Sequence, residues 1–296
     1  MDWDDARYFL AIARDGRMLG AARHLGVSQA LLSRRVGALE EALGTRLLDR
    51  STRGCTLTED GAVLFETAER IEAEMLGGIA RLSGGEGEVA GSVRIGAPDG
   101  LGSAFLARHL HEFVAAYPRL HIQLVPMPRS FSLSKREADV AVMVGRPGKG
   151  KLTVRRLTDY SLGLYASNEY LARAGRPATL AELGEHTLIG YVEDLIYSPE
   201  LNYAAEFARH WTSQIEVSTA IGQFEAVRAG AGIGILHDFM AMGDSSLVRL
   251  FPEQSTKRTY WTVWHEHVRV LRRVQLVVEL LDRIVRRERH LFCPSW

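Results

Sequence analysis

Apolar positions recur at helical spacing through the first part of the chain. From Asp4 to Asp15, Phe9, Ile12 and Ala13 share one face, and the Asp15-Gly16 pair breaks the pattern. Ala21, Ala22 and Leu25 predict a short second helix ended by Gly26. In the third, Leu32, Val36, Leu39 and Leu43 repeat at spacings of 4, 3 and 4, with Ser28 as N-cap and Gly44 as the closing glycine. The polar, glycine-containing "DRSTRGCTL" then lies between short apolar ends, which suits a hairpin, or wing, better than a helix.

Thr58 is placed to cap a long helix, with Glu59 and Asp60 near its positive end. Leu64, Ala68, Ile71, Met75, Gly78 and Leu82 follow at alternating spacings of 4 and 3, the narrow seam of a dimerisation helix. The competing reading is a helix lying on a globular core. Four glycines in "SGGEGEVAGS", Ser83 to Ser92, predict a linker. Beyond it, strand-like runs such as "VRIGA", "DVAVMVG", "GIGIL" and "YWTVWH" alternate with helical ones, as in an α/β domain. The run from Val268 to Arg287 carries Val274, Val277, Val278, Leu281, Ile284 and Val285 on one helical stripe, expected to pack on the first strands of that domain. The expected division is therefore 1–58, 59–90 and 91–296.

Composition narrows the function classes. At 296 residues with 46% hydrophobic and 24% charged content, the chain can bury the cores of two or three domains. Its 36 basic and 36 acidic residues cancel, so any basic footprint for nucleic acid must be local. Cys55 and Cys293 have no metal-ligand spacing and suit a reducing compartment. The acidic, amphipathic N-terminus lacks the pattern of a signal peptide, and no window has the roughly 20 apolar residues of a spanning helix. A cytoplasmic protein without membrane association is expected.

The third helix carries the sharpest chemical signal. Gln29, Ala30, Ser33, Arg34 and Gly37 lie opposite its buried stripe. A solvated face more often carries Glu and Lys pairs. This one offers a bidentate amide, a hydroxyl, an arginine and two residues too small to obstruct close approach. Gln pairs with adenine through two hydrogen bonds and Arg with the acceptor pair of guanine, so the face suits the major groove of double-stranded DNA. Arg50 and Arg53 in the wing, beside Ser51 and Thr52, suit phosphates.

From Ala21 to Gly61, "AARHLGVSQALLSRRVGALEEALGTRLLDRSTRGCTLTEDG" resembles the winged helix-turn-helix of the LysR-type transcriptional regulators. Departures are Ala30 where the family usually has Pro, Val36 for Ile, Leu48 for Phe, and "RMLG" at Arg17 to Gly20 where a Ser-containing turn is usual. The loss of proline at position 30 removes a pre-set helix start; the apolar exchanges conserve core character. The resemblance implies Ser28, Gln29, Ser33 and Arg34 as recognition-helix contacts and Arg50 and Arg53 as wing contacts. It extends more weakly over the rest of the chain. It implies a C-terminal domain similar to a periplasmic type-2 binding protein, with lobe I at 91–162 plus 265–296 and lobe II at 163–264.

A small-molecule effector is expected in the cleft between those lobes, with an anionic one among the candidates. Asp99, Gly100 and Ser103 follow the strand "VRIGA", where free backbone N–H groups could hold an anion. They fit equally a plain βα turn capped by Ser103. Ser130 and Phe131 in "PRSFSLS", Tyr191, Glu193 and Gln223 complete the expected effector residues, together with His237, which could titrate against an anionic effector. His265-Glu266-His267 lacks a third ligand at metal spacing. There is no G-x-S-x-G elbow or phosphate loop, so neither an enzyme nor a cofactor is expected. The alternatives are a solute-binding protein without DNA function and a regulator controlled by oligomerisation alone. The expectation is a dimeric DNA-binding regulator, tetrameric through its effector domains, in which the effector alters DNA bending and contact with RNA polymerase.

Overall fold

Three helices open the chain in the computed structural model, which describes all residues except 1–2, 52–53, 83–88, 90, 130–136, 149–151, 209–210, 267–270 and 295–296. They are α1 (Trp3–Asp15), α2 (Met18–Leu25) and α3 (Gln29–Leu43). Ser28 accepts a hydrogen bond from the Leu31 N–H at 3.2 Å, while Gly26 and Gly44 close α2 and α3 in the left-handed conformation. Phe9, Leu10 and Ile12 of α1 pack with Ala21 and Ala22 of α2 and with Leu32, Val36 and Leu39 of α3. Leu43, expected to complete the α3 stripe, is instead 41% exposed. The last turn of α3 lies outside the core cluster, so the buried stripe ends at Leu39.

The wing is an antiparallel hairpin of β1 (Leu48–Ser51) and β2 (Gly54–Leu57), with Arg50 opposite Cys55. It is fixed to the α1–α2 turn by a Cys55 N–H to Gly16 carbonyl bond of 2.8 Å. Thr58 caps α4 (Glu59–Leu82), accepting from the Gly61 N–H at 2.9 Å and donating to the Arg46 carbonyl at 2.7 Å. Arg14 binds Glu72 at 2.6 Å and so ties α1 to α4. This ion pair was not legible as a contact in the sequence.

The even seam expected along α4 is divided. Ala68 is 1% exposed and belongs to the core of its own domain, beside Phe65, so it offers no surface to a second chain. Leu64 is half-buried against the same core. Ile71 and Met75 are exposed, at 42% and 53%. The Leu82 side chain lies outside the described residues, as does most of the expected linker. Residues Met1–Gly87 form one compact unit and Glu88–Trp296 a second.

In the second unit β3 (Gly91–Pro98) pairs in parallel with both β4 (Leu120–Met127) and β5 (Val140–Val144), with α5 (Leu110–Ala116) on the connection. The long β6 (Leu152–Ser167) leads into the second lobe: α6 (Asn168–Ala174), β7 (Leu188–Gly190), α7 (Ala204–Phe207), β8 (Ile215–Glu216), α8 (Ala220–Arg228), β9 (Ile233–His237), α9 (Asp238–Ala241) and β10 (Leu247–Leu250). Then β11 (Thr256–His265) runs back antiparallel to β6, followed by α10 (Arg272–Arg287) and α11 (Arg289–Phe292). The strand order among the described residues is β4-β3-β5-β11-β6-β9-β7-β8, with β10 also on β6.

The two lobes thus share β6 and β11. Tyr260 to Trp264 of β11 pair with β5 while β11 also pairs with β6, so this crossing strand serves both lobes. Helix α10 buries Val274, Val277, Leu281 and Ile284 completely against the sheet. Each such side chain contributes about 1.5–3 kcal/mol by leaving water. In lobe II a buried polar knot joins Asp238 to Arg249, Ser161 and Tyr165, the last donating at 2.7 Å. A fully buried carboxylate requires such partners.

Candidate functional site

The polar face of α3 is open. Gln29 and Arg34 are exposed, and Ser33 and Gly37 are half-exposed. The neighbouring Arg35 is occupied: its Nε meets the buried Asp5 carboxylate at 2.9 Å, and its guanidinium lies 5.8 Å from the Tyr8 ring centroid. Of the "SRR" triplet, therefore, one arginine braces α3 on α1, while Arg34 has no ion-pair partner among the described residues. Arg50 reaches from the wing to α3, donating to Ser33 Oγ at 3.0 Å and meeting Glu40 at 3.3 Å. Glu40 also accepts from the Leu47 and Leu48 N–H groups at 2.8 and 3.1 Å, so one carboxylate joins recognition helix and wing. A groove of about 650 Å³ lies between these elements, flanked by Arg17, Met18, Gln29, Ser33 and Arg50.

Ser28 caps α3 with one lone pair of its oxygen, which leaves its proton and a second lone pair for an outward contact. Arg53 lies outside the described residues. So do Ser130 and Phe131.

The expected anion cradle in the second unit is filled from within. Asp99 is buried, and its carboxylate accepts the Ile221 N–H at 3.1 Å in the first turn of α8. Gly100 belongs to the same lobe I to lobe II contact: a Cβ there would stand 3.1 Å from both Ala220 Cβ and Met240 Sδ. The Ile221 N–H at the start of α8 is taken by this carboxylate and is not open to an external anion. Ser103 is exposed beside it. His237 also departs from expectation. It stacks on Tyr160 with ring centroids 5.2 Å apart, and burial pushes its pKa down to about 4. It is neutral through the physiological range, so it does not titrate against an effector there.

Burial raises the Asp99 pKa above the ordinary aspartate value. The folded state therefore holds this proton to higher pH than the unfolded chain, and the group's contribution falls as pH rises from the unfolded value through the raised one. Asp99→Asn keeps an acceptor for Ile221 and is expected to match or exceed the parent's stability at neutral pH. Asp99→Leu removes the acceptor and is expected to cost about 1 kcal/mol. Chemical denaturation of the three proteins at acid and neutral pH checks both the order and the loss of pH dependence.

Tyr191, Glu193 and Gln223 do come together. They line a cavity of about 410 Å³ whose described walls run from Ile189 to Ile235, all in lobe II. Gln223 is buried, with its amide fixed by a 2.9 Å bond to the Val217 carbonyl. Sequence reading missed Tyr203, Trp211 and Glu216 on the same walls. The dense aromatic and acidic run "YVEDLIYSPELNY" was the available signal. Asp99, Gly100, Ser103 and His237 are not among the lining residues. Of the seven described effector candidates, Tyr191, Glu193 and Gln223 line this cavity.

A winged helix-turn-helix joined to a two-lobed α/β unit defines a DNA-binding regulator with a binding-fold domain. The family model described as "Bacterial regulatory helix-turn-helix protein, lysR family" matches residues 3–62, and that described as "LysR substrate binding domain" matches residues 86–285. The chain is 30% identical over 265 residues to the HTH-type transcriptional regulator CrgA of Neisseria meningitidis serogroup C, covering 87% of each chain. The solved CrgA structure aligns with a TM-score of 0.60 at 27% identity, covering 96% of this chain and 98% of that one. Full-length LysG from Corynebacterium glutamicum, solved with bound arginine, aligns at 0.64 and 21% identity over 96% of this chain and 98% of its own. The chain belongs to the LysR-type transcriptional regulator family. It is a DNA-binding transcription regulator rather than an enzyme, and no described helix is long and apolar enough to cross a membrane.

Proposed function

We propose that this chain is a cytoplasmic, homodimeric operator-binding regulator that reads base edges with Gln29 and Arg34 and grips phosphates with Arg50 and Arg53. The observation that carries this reading is the division of labour between adjacent arginines. Arg35 is spent on Asp5, while Arg34 stands exposed on a face otherwise made of amide, hydroxyl and small residues. Ser28 and Ser33 add hydroxyl donors to that face. The exposed Ile71 and Met75 supply the apolar part of a dimer contact along α4. Two such modules would straddle successive major-groove segments about one helical turn apart.

The second unit is proposed to take a small effector that favours one arrangement of the assembly and so changes operator binding or contact with RNA polymerase. That LysG was solved with arginine bound supports a small molecule acting through this fold. Tetramer formation through the same units belongs to this reading. Footprinting the protein on its own upstream region is the test. Two protected major-groove patches are expected, with their spacing or flanking reactivity altered by an effector. Uniform, spacing-free protection would overturn operator recognition; an identical footprint with a bound small molecule would overturn the coupling.

A further inference from the structure

We propose that the lobe II cavity binds a small organic cation with an apolar or aromatic body; this rests on the reading that the unit takes a regulatory small molecule, and supplies its class. The cavity's volume of about 410 Å³ is within the usual range of about 300–1,000 Å³ for ligand pockets. Its charged described lining residues are Glu193 and Glu216, both exposed; no Lys, Arg or His is among the described lining residues.

The uncharged walls favour the same charge. Tyr191 and Tyr203 meet edge to face, with centroids 6.2 Å apart, and Trp211 is held by a 3.0 Å bond from its indole N–H to Ser213 Oγ. Aromatic faces attract ammonium and guanidinium groups and repel carboxylates. Near this wall lies Asp99, which accepts the Ile221 N–H and has no cationic side-chain partner among the described residues. An entering anion would meet the Glu193 and Glu216 carboxylates and no basic group among the described lining residues. An entering cation would meet opposite charge at the rim and aromatic surface inside, with Ile235 offering an apolar contact to its body. The expectation of an anionic effector is thereby replaced for this cavity.

The test uses the full-length protein and two probes of the same ring and chain length but opposite charge, phenethylammonium and 3-phenylpropanoate. Titration calorimetry is expected to give at least about tenfold tighter binding of the cation. The Glu193→Gln/Glu216→Gln double variant changes only exposed carboxylates and is expected to keep its melting temperature while losing about tenfold in cation affinity. Equal or tighter binding of the anion, no cation binding at millimolar concentration, or undiminished cation affinity in the folded double variant would each overturn the proposal. Footprinting with each probe separates this inference from the regulatory reading. Cation binding that leaves the footprint unchanged upholds the site and removes its regulatory role, whereas anion binding that alters the footprint upholds regulation and removes the proposed class.

Discussion

Arg34→Ala is expected to weaken binding to the operator by about 5- to 150-fold, roughly 1–3 kcal/mol, while leaving binding to a scrambled duplex nearly unchanged. The guanidinium is exposed on α3 and has no ion-pair partner among the described residues, so its removal should leave the fold intact. Arg35→Ala is the contrasting change. It abandons the Asp5 carboxylate, which is only 8% exposed, and should lower the melting temperature along with DNA affinity. Fluorescence anisotropy on both duplexes, paired with thermal melts, distinguishes the two. Equal losses of Arg34→Ala on operator and scrambled DNA would reassign Arg34 to the phosphate backbone.

Gly61→Ala carries the largest expected stability effect, a loss of about 2–4 kcal/mol. The added Cβ would lie 2.0 Å from the Leu47 carbonyl oxygen and 2.9 Å from its carbon. Both are backbone atoms at the root of the wing, and neither can give way without moving the Thr58 cap, whose own N–H bonds that same oxygen at 3.1 Å. For a unit of this size the loss corresponds to about 10–25 °C in the melting of the N-terminal module. Gly37→Ala gives the opposite sign. Nothing lies within 4 Å of its new Cβ, and a helical Gly-to-Ala exchange stabilises by about 0.5–1 kcal/mol. Because Gly37 belongs to the DNA face, that variant should be more stable yet bind operator less tightly. Denaturation of both variants, with duplex titration of the second, checks the pair.

The readable parts of this protein are those whose determinants lie within a turn or two of one another. Ser28, Gly44 and Thr58 announce their helix ends because a cap and its partner are three or four residues apart. The wing is legible for the same reason. Ala68 was not: its small apolar side chain fits a seam or a core equally, and only the packing of α1 and the wing against α4 decides between them. Asp99 failed through distance, since its partner Ile221 is 122 residues further along and belongs to the other lobe. Tyr203 and Trp211 were missed because the described residues between 193 and 213 form short helical turns, and Glu216 because its strand β8 has two residues, none of them with the periodicity that marks a face. Tyr191 and Glu193 were legible from their place after the short strand "LIG" and Gln223 from its place near a helix start, and their cavity lies within lobe II.

Operator recognition depends on the open side of α3 and the wing arginines meeting a duplex. Measuring affinity for the protein's upstream DNA across a salt series tests this most directly, because each neutralised phosphate contributes about −0.9 to the slope of log affinity against log salt. A steep negative slope of several units is expected, barely altered by Arg34→Ala and reduced by about one unit on removal of Arg53. Affinity that stays flat as salt rises would contradict it.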